Sequence, residues 1–384
     1  MGEPAQARPI VAVLGGGYAG VNVAKSLDDV ADVLLIEPKE AFVHNVAALR
    51  ALVAPSWLPR IYLPYAGLLS HGRVIRDRAA KVDGGRVELA SGEVIQADYI
   101  VLATGSAYPF PAKSDLDSTA AAHDRTLAAH AALAAAGRVL LLGAGPVGVE
   151  LAGEITATWP DKDVTLVDPA GDILGARFRP ELKAEIRRQL SELGVHVLLG
   201  TQLAASPPGE PGELGTFTVS TGSGVELTAD IWFRCHGVRP VSDYLAGSLA
   251  GARRPDGRIE VAPSLQVIGQ GRVFALGDVA TADHPMAGAA GRQAAIVAGN
   301  IRAFITGQGE LAEYEAPPPG IVVPLGPRGG AGQRGGQDAL LPAGVVADLK
   351  GRDMMVDRYI ELLGAPVSGA AASTDGTPGY GPGS

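Results

Sequence analysis

One glycine pattern, occurring twice, constrains this chain more than any other feature. Gly15, Gly17 and Gly20 follow the apolar run Ile10 to Leu14, and Gly143, Gly145 and Gly148 follow Arg138-Val-Leu-Leu-Leu142. Each triplet sits between a strand-like run and a helix-forming stretch, the context in which G-x-G-x-x-G signals dinucleotide binding. The first glycine makes the tight turn, the second lets a pyrophosphate approach the backbone, and the third lets helix and strand pack closely. The anion then rests at a helix N-terminus. Tyr18 and Ala19 complete the first loop, Pro146 and Val147 the second. Two such units imply two dinucleotides.

Each unit carries an acidic partner. Val33-Leu-Leu-Ile-Glu37 ends a second strand on Glu37, and Val164-Thr-Leu-Val-Asp168 ends one on Asp168. Both fall about 20 residues beyond their glycines, where a carboxylate accepts hydrogen bonds from a ribose 2′-OH and repels a 2′-phosphate. The second site is therefore expected to prefer NADH to NADPH, with Arg177 and Arg179 close enough in sequence to soften the preference.

Composition narrows the function classes. The 384 residues are 47% hydrophobic and carry a net charge of −9 without a dense Lys/Arg run, which speaks against a nucleic-acid partner. Cys235 is the only cysteine, so disulfide-reductase chemistry is excluded within this sequence, and a cytoplasmic setting is expected. No apolar run reaches the ~18 residues of a spanning helix. His44, His236 and His284 lack metal-ligand spacing, and no metal is expected.

Along the chain, residues 8–112 read as the first part of one nucleotide domain, with short strands at 73–79, 85–89 and 92–96 before the apolar strand that ends in Ala103-Thr-Gly105. Residues 113–254 read as the second nucleotide domain, opening on an Ala-rich helix near 127–136. Its later helix shows Leu182, Ile186, Leu190 and Leu193 at helical spacing. Ser206 to Gly215 reads as a flexible surface insertion. Residues 255–315 return to the first domain through the strand ending in Gly277-Asp278, and 316–365 form a C-terminal piece with a late helix over Met354–Leu363. The Gly/Ser/Ala/Pro composition of the tail, 366–384, predicts disorder. The expected fold class is α/β: two Rossmann-like domains, the first interrupted by the second, plus this small C-terminal piece.

Taken together, Gly15 to Gly20, Ala103 to Gly105, Gly143 to Glu150 and Leu276-Gly-Asp278 resemble the two-dinucleotide-binding-domain flavoproteins, which include the type II NADH dehydrogenases. Phe42-Val-His-Asn-Val-Ala-Ala-Leu-Arg50 and Lys350-Gly-Arg-Asp-Met-Met355 resemble the ferroptosis suppressor branch of that family, also called apoptosis-inducing-factor-like. The resemblance implies FAD in the first site, NADH in the second and a quinone as electron acceptor. It implies that Gly15, Gly17 and Gly20 hold the FAD pyrophosphate and that Glu37 holds its adenosine ribose. Val82 meets adenine through its backbone, Ala103, Thr104 and Gly105 line the site, and Asp278 bonds the ribityl region. Glu150 lies near the nicotinamide and His44 near the isoalloxazine or quinone. Gly237 closes the strand-turn of the second site. Two departures stand out: His284-Pro-Met286 lacks the lysine of the branch's Pro-Lys-Met, and Gln6 breaks the lipidation pattern that Met1-Gly2 begins.

Single residues keep alternatives. Gln293 faces the flavin edge or the plain helix surface. His44, a catalytic candidate, donates a proton or hydrogen bond or caps a nearby backbone, and Glu150, the other, orients the nicotinamide, relays a proton or holds the helix start. Lys113 approaches the flavin or reads as a solvated hinge lysine, and Glu154 reads as a structural partner. Met354, Met355, Tyr359, Ile360 and Leu363 form an apolar stripe that suits a quinone tunnel, a peripheral membrane contact, a homodimer or packing against the body. The reading that unites these features is an FAD-dependent NADH:quinone oxidoreductase. Its alternatives are a reductase of ferredoxin- or rubredoxin-type proteins and an NADH-sensing interaction protein.

Overall fold

The computed structural model describes residues 8–366. Met1-Gly2 and the tail from Ser368 lie outside the described residues. The chain opens with β1 (Ile10–Leu14), α1 (Tyr18–Leu27) and β2 (Asp32–Ile36), the strands parallel and in register from Ile10↔Asp32 to Leu14↔Ile36. A short helix α2 (Ala48–Val53) follows, then β3 (Arg73–Ile75) beside β2 and β4 (Tyr99–Leu102) beside β1. Between β3 and β4 an antiparallel sheet of Ala79–Asp83, Arg86–Leu89 and Val94–Gln96 covers one face. The expected strand 73–79 is thus divided: its first half joins the parallel sheet, and the chain then turns into the antiparallel one.

The second unit repeats the first. After α3 (Thr119–Ala135) come β5 (Arg138–Leu142), α4 (Pro146–Thr158), β6 (Asp163–Asp168), α5 (Pro180–Glu192), β7 (His196–Leu199) and β8 (Ile231–Arg234). They form a parallel sheet in the order β7-β6-β5-β8. The Ala-rich helix α3 begins earlier than its apolar spacing suggested, because the Ser118 side chain accepts from the Ala121 N–H and caps it there. β9 (Val273–Ala275) then pairs with β4, giving the first sheet the order β9-β4-β1-β2-β3, and α6 (Ala287–Thr306) packs on α1. The hairpin β10 (Ile321–Leu325) and β11 (Gly329–Gln333) lies against α4, and α7 (Val356–Leu363) ends the described chain. The fold is the expected α/β arrangement of two nucleotide-binding units.

Strand alternation divides the cores. Val11, Val13, Val33, Leu35 and Val101 enter the cluster with α1 and α6, while Ala12, Leu14, Leu34, Ile36 and Leu102 enter the cluster beneath the antiparallel sheet. In the second unit Val139 and Leu141 face the helices, and Leu140 packs with Trp232 on the other face. Strands buried on both faces read as continuous apolar runs, as the sequence shows.

The segment 206–215 departs from the expected loose insertion. The Gly212 N–H donates to the Trp232 carbonyl, the Gly215 N–H to that of Asp230, and Trp232 Nε1 to the Pro208 carbonyl, so the segment is laid along β8. Gly212 has φ +91, and a Cβ there would press on Phe233 at 3.3 Å. Its left-handed Gly209 and Gly212 turn the chain, and the three contacts to backbone carbonyls anchor it.

The glycine loops explain why helix and strand can meet. A Cβ on Gly20 would run into the Gly15 carbonyl oxygen, and one on Gly148 into that of Gly143. Gly15 and Gly143 are left-handed (φ +102 and +112), each backed by another backbone carbonyl, Ala103 and Cys235. Gly17 and Gly145 differ: their φ values, −82 and −70, suit any residue, and a Cβ on either would meet nothing within 4 Å. We predict that Gly148→Ala costs at least about 3 kcal/mol, because the clash is with backbone that cannot yield. Gly145→Ala is expected to stay within about 1 kcal/mol of the parent. Equal melting temperatures for the two variants would overturn this assignment.

Candidate active site

The acidic partner of each loop returns to it. Glu37 Oε2 accepts from the Gly16 N–H at 2.6 Å and Oε1 from the Lys39 N–H at 3.0 Å. Asp168 Oδ2 accepts from the Ala144 N–H at 2.6 Å and Oδ1 from the Ala170 N–H at 2.7 Å. Gly16 and Ala144 are the same position of the two loops, so both carboxylates are held at the mouth of a glycine turn by the same bond. With a carboxylate at one side, an uncapped helix N-terminus behind, and the second glycine open, each loop has the donors and the space that a dinucleotide's diphosphate needs. The residues fit FAD and a nicotinamide dinucleotide. Arg177 and Arg179, expected to soften the effect of Asp168, are engaged elsewhere: Arg177 Nη2 lies 4.0 Å from Asp283, and Arg179 donates to the Gln337 and Asp338 carbonyls.

Around the first loop, Asp278 accepts from Ser106 Oγ at 2.6 Å and lies 3.2 Å from Lys113 Nζ. Lys113 also donates to the Ser106 carbonyl at 2.9 Å. The solvated-hinge reading of Lys113 is corrected: a cation does reach Asp278, from this segment and not from the motif after Gly-Asp. Gln293 is 1% exposed, and its Oε1 accepts from the Gly277 N–H at 2.7 Å. It is neither helix surface nor free to face a ring through that oxygen. It holds the left-handed Gly277 (φ +74) that presents Asp278. Val82 is corrected as well, since its N–H donates to the Tyr244 carbonyl and its C=O accepts from Ala246, so both groups expected to meet adenine are bonded within the chain. Ala103 donates to the Leu14 carbonyl, and Thr104 Oγ1 donates to the Val241 carbonyl at 2.6 Å and lies 2.9 Å from the Tyr244 hydroxyl. Gly105 (φ +67) and Gly237 (φ +102) leave open or nearly open space where a side chain would stand.

His44 is fully buried. Its Nε2 lies 2.7 Å from the Met354 carbonyl, which can only accept, so Nε2 carries the proton and Nδ1 is left to accept from the Tyr18 hydroxyl at 3.3 Å. That hydroxyl in turn accepts from the Val46 N–H at 3.0 Å. Burial pushes the His44 pKa down to about 4 and that of Tyr18 far up. Tyr359 joins the cluster, 5.2 Å from the Phe42 ring and 5.0 Å from His44. The late apolar stripe is therefore packed on the body: Met354, Tyr359 and Leu363 are buried and only Met355 stands exposed. α7 starts later than expected because Met354 and Met355 are both left-handed (φ 53 and 62). L-residues adopt that backbone only at a cost of ~1 kcal/mol or more each, and the His44 bond to the Met354 carbonyl helps hold it.

The face of α4 completes the site. Glu150 Oε1 receives Lys350 Nζ at 2.7 Å, and one turn on, Glu154 takes a bidentate pair from Arg50. Burial raises Glu150 above the usual carboxylate range, opposed but not cancelled by Lys350. Lys350 thus brings the start of the C-terminal segment directly onto Glu150. Arg50 and Lys350 stand only at the ends of the two branch motifs in the sequence, which gives no sign of their partners. An arginine inside the otherwise apolar Ala48-Leu-Arg-Ala-Leu-Val53 was the available signal.

The histidine's depressed pKa has a sign that can be tested. Between pH 6.5 and about 4 the unfolded chain binds a proton at His44 that the folded chain refuses, so stability is present above 6.5 and is lost as pH falls through that window. The loss attributable to this group is about 3 kcal/mol. Urea unfolding from pH 7.5 to 4.5 is expected to show a shallower fall for His44→Gln than for the parent, and parallel curves would overturn the neutral assignment.

Comparison with known proteins agrees with this fold. Residues 9–300 match the model of the pyridine nucleotide-disulphide oxidoreductase family. Apoptosis-inducing factor homolog B of Dictyostelium discoideum is 27% identical, over 93% of this chain and 97% of its own length. Ferroptosis suppressor protein 1 of Taeniopygia guttata is 29% identical, over 92% and 95%. Among solved structures, the covalent putidaredoxin reductase–putidaredoxin complex matches with a TM-score of 0.66 at 22% identity, covering 83% of this chain and 79% of that one. A ferredoxin reductase from Rhodopseudomonas palustris matches at 0.63 and 22%, covering 81% and 79%.

Proposed function

Since the chain belongs to the pyridine nucleotide-disulphide oxidoreductase family and is an FAD- and pyridine-nucleotide-dependent oxidoreductase, we propose that its electron donor is NADH and its acceptor a quinone. The observation that carries this reading is the pair of glycine loops. In each, the first and third glycines are required by the chain's own packing, whereas the second is required by nothing in the chain and leaves room for a ligand. The bound FAD supplies a hydride acceptor and a store for two electrons.

The chain's own groups bind and orient. Gly17 and the α1 N-terminus receive the FAD diphosphate, Glu37 the adenosine ribose, and the Asp278–Lys113–Ser106 cluster the ribityl side. Gly145 and the α4 N-terminus receive the NADH diphosphate. Asp168, held by two backbone N–H groups, faces the 2′-position with no free arginine among its observed partners. Glu150, with Lys350 on one oxygen, orients the nicotinamide side. His44 stays neutral and hydrogen-bonded at both nitrogens, so its role is to hold Tyr18 and the Met354 carbonyl, not to deliver a proton. Cys235 is buried with its thiol pushed up to about 12, which leaves no thiol to take electrons from the flavin. An external acceptor is needed, and the motif resemblance favours a quinone. No helix among the described residues is long and apolar enough to cross a membrane.

Two measurements test the reading. kcat/KM is expected to favour NADH over NADPH by at least about tenfold, or ~1.4 kcal/mol, and Asp168→Ala to narrow that ratio. Equal use of both coenzymes by the parent would sink the donor assignment. In anaerobic stopped flow, the NADH-reduced protein is expected to reoxidise faster with a ubiquinone or menaquinone analogue than with ferredoxin or oxygen. Faster reoxidation by ferredoxin would move the protein to the ferredoxin-reductase reading. Slow reoxidation by every acceptor, with NADH-dependent dimerisation, would favour a redox sensor.

A further inference from the structure

The reaction just proposed makes no use of the most deeply buried ion pair in the molecule's interior. Arg50 is 5% exposed and Glu154 is 1% exposed. Arg50 donates through Nε to Glu154 Oε2 and through Nη2 to Glu154 Oε1 at 2.8 Å, a two-pronged planar contact. Nη2 also donates to the Gly351 carbonyl at 2.9 Å, and the guanidinium lies 5.3 Å from the Trp57 ring. Burying such a pair contributes little net stability, since the desolvation of both charges offsets their attraction. Its usefulness must lie in geometry. A bidentate arginine–carboxylate contact fixes direction as well as distance, which an ammonium cannot do.

What the pair joins gives that geometry a purpose. Arg50 comes from α2, which belongs to the FAD unit in chain order and lays Leu49, Leu52 and Val53 into the core of the second unit. Glu154 comes from α4, whose N-terminal turn follows the second glycine loop and whose Glu150 sits one helical turn before it. Gly351 comes from the C-terminal segment, whose preceding residue, Lys350, binds Glu150. One guanidinium thus ties together the first nucleotide unit, the helix that carries the second glycine loop and the segment that holds Glu150. Glu150 and Glu154 share a helix face and would compete for cations. The fork selects Glu154 for Arg50 and leaves Lys350 to Glu150.

We propose that the Arg50–Glu154 pair is the positioning strut that sets the angle between the two nucleotide units, and through it the approach of the nicotinamide to the flavin. The proposal rests on the reading of the second loop as the NADH site. Arg50 touches neither reactant; it acts through α4. Hydride transfer is steep in donor–acceptor placement, where a shift of ~1 Å can cost ~100-fold.

The test uses the full-length FAD-loaded protein and two variants. Arg50→Lys keeps the charge and loses the fork. The Arg50→Met/Glu154→Met double variant removes both charges, leaves only the Gly351 carbonyl without its donor, and carries the test if the single variant loses FAD. Anaerobic stopped flow reads the limiting rate of flavin reduction and the NADH Kd, and NADH deuterated at the transferred C4 position reads the isotope effect. Spin labels on Lys81→Cys and Ser191→Cys, exposed positions on the two units, read the inter-unit distance distribution independently of any reaction. We expect NADH Kd to change by less than about threefold while the limiting rate falls at least about tenfold, with a full isotope effect and a broadened distance distribution. A limiting rate within about twofold of the parent in both variants would overturn the proposal, whatever the distances show. If NADH fails to reduce the parent flavin, the donor assignment falls. The strut is then decided by the labels alone, with an unchanged distribution overturning it.

Discussion

Both halves of this protein depend on the same contact, the third glycine of each loop lying against the carbonyl of the first. Gly20 on Gly15 and Gly148 on Gly143 bring the start of a helix onto the end of a parallel strand with no room for a methyl group between them. That approach turns the free N–H groups of the helix toward the strand's C-terminal edge, where an anion can take them up. It also fixes where the next strand must lie, and hence where Glu37 and Asp168 emerge. The middle glycine is free of these demands, and its freedom marks the place left for a ligand.

Around this duplicated frame, the polar groups at the bottom of the site are nearly all tied to distant parts of the chain. Glu150 and Glu154, one turn apart on α4, are bound by Lys350 and Arg50. His44 joins the Tyr18 hydroxyl at the start of α1 to the Met354 carbonyl near the C-terminus. The C-terminal segment is consequently part of the site's floor. Its hairpin reaches α4 through another glycine contact: a Cβ on Gly153 would meet the backbone of Leu325 at 2.5 Å. The same segment that pairs with Glu150 also buries Tyr359 against Phe42 and His44. The two glycine-loop units thus share one packed wall in the C-terminal segment.

The first site illustrates how a charge can be supplied from an unexpected quarter. The lysine absent from the stretch after Gly277-Asp278 has no neighbour in sequence to replace it, yet Lys113 reaches Asp278 from the segment that links the two units. Gln293, from α6, steadies the turn that carries Asp278 by accepting from the Gly277 N–H. Asp278 is therefore oriented from two sides by the chain itself.

The two nucleotide-binding units, their glycine turns, their strand-end carboxylates and the return of the chain to the first sheet are legible in the order of the amino acids alone. These rest on interactions between near neighbours: turn chemistry, continuous apolar runs in strands buried on both faces, a period of 3.6 in helices such as the one carrying Leu182, Ile186 and Leu190. Where a local feature competed, the boundaries moved, as when the Ser118 cap started α3 early and the left-handed Met354 and Met355 delayed α7. Which distant groups meet is visible only in the folded chain: Arg50 with Glu154, Lys350 with Glu150, His44 with Met354, Lys113 with Asp278, and the backbone of Val82 with residues 244–246. These pairs lie far apart along the chain and leave no periodic trace. A charged or aromatic residue advertises that it needs a partner, but which partner it finds depends on how the layers pack, and that is a property of the folded chain.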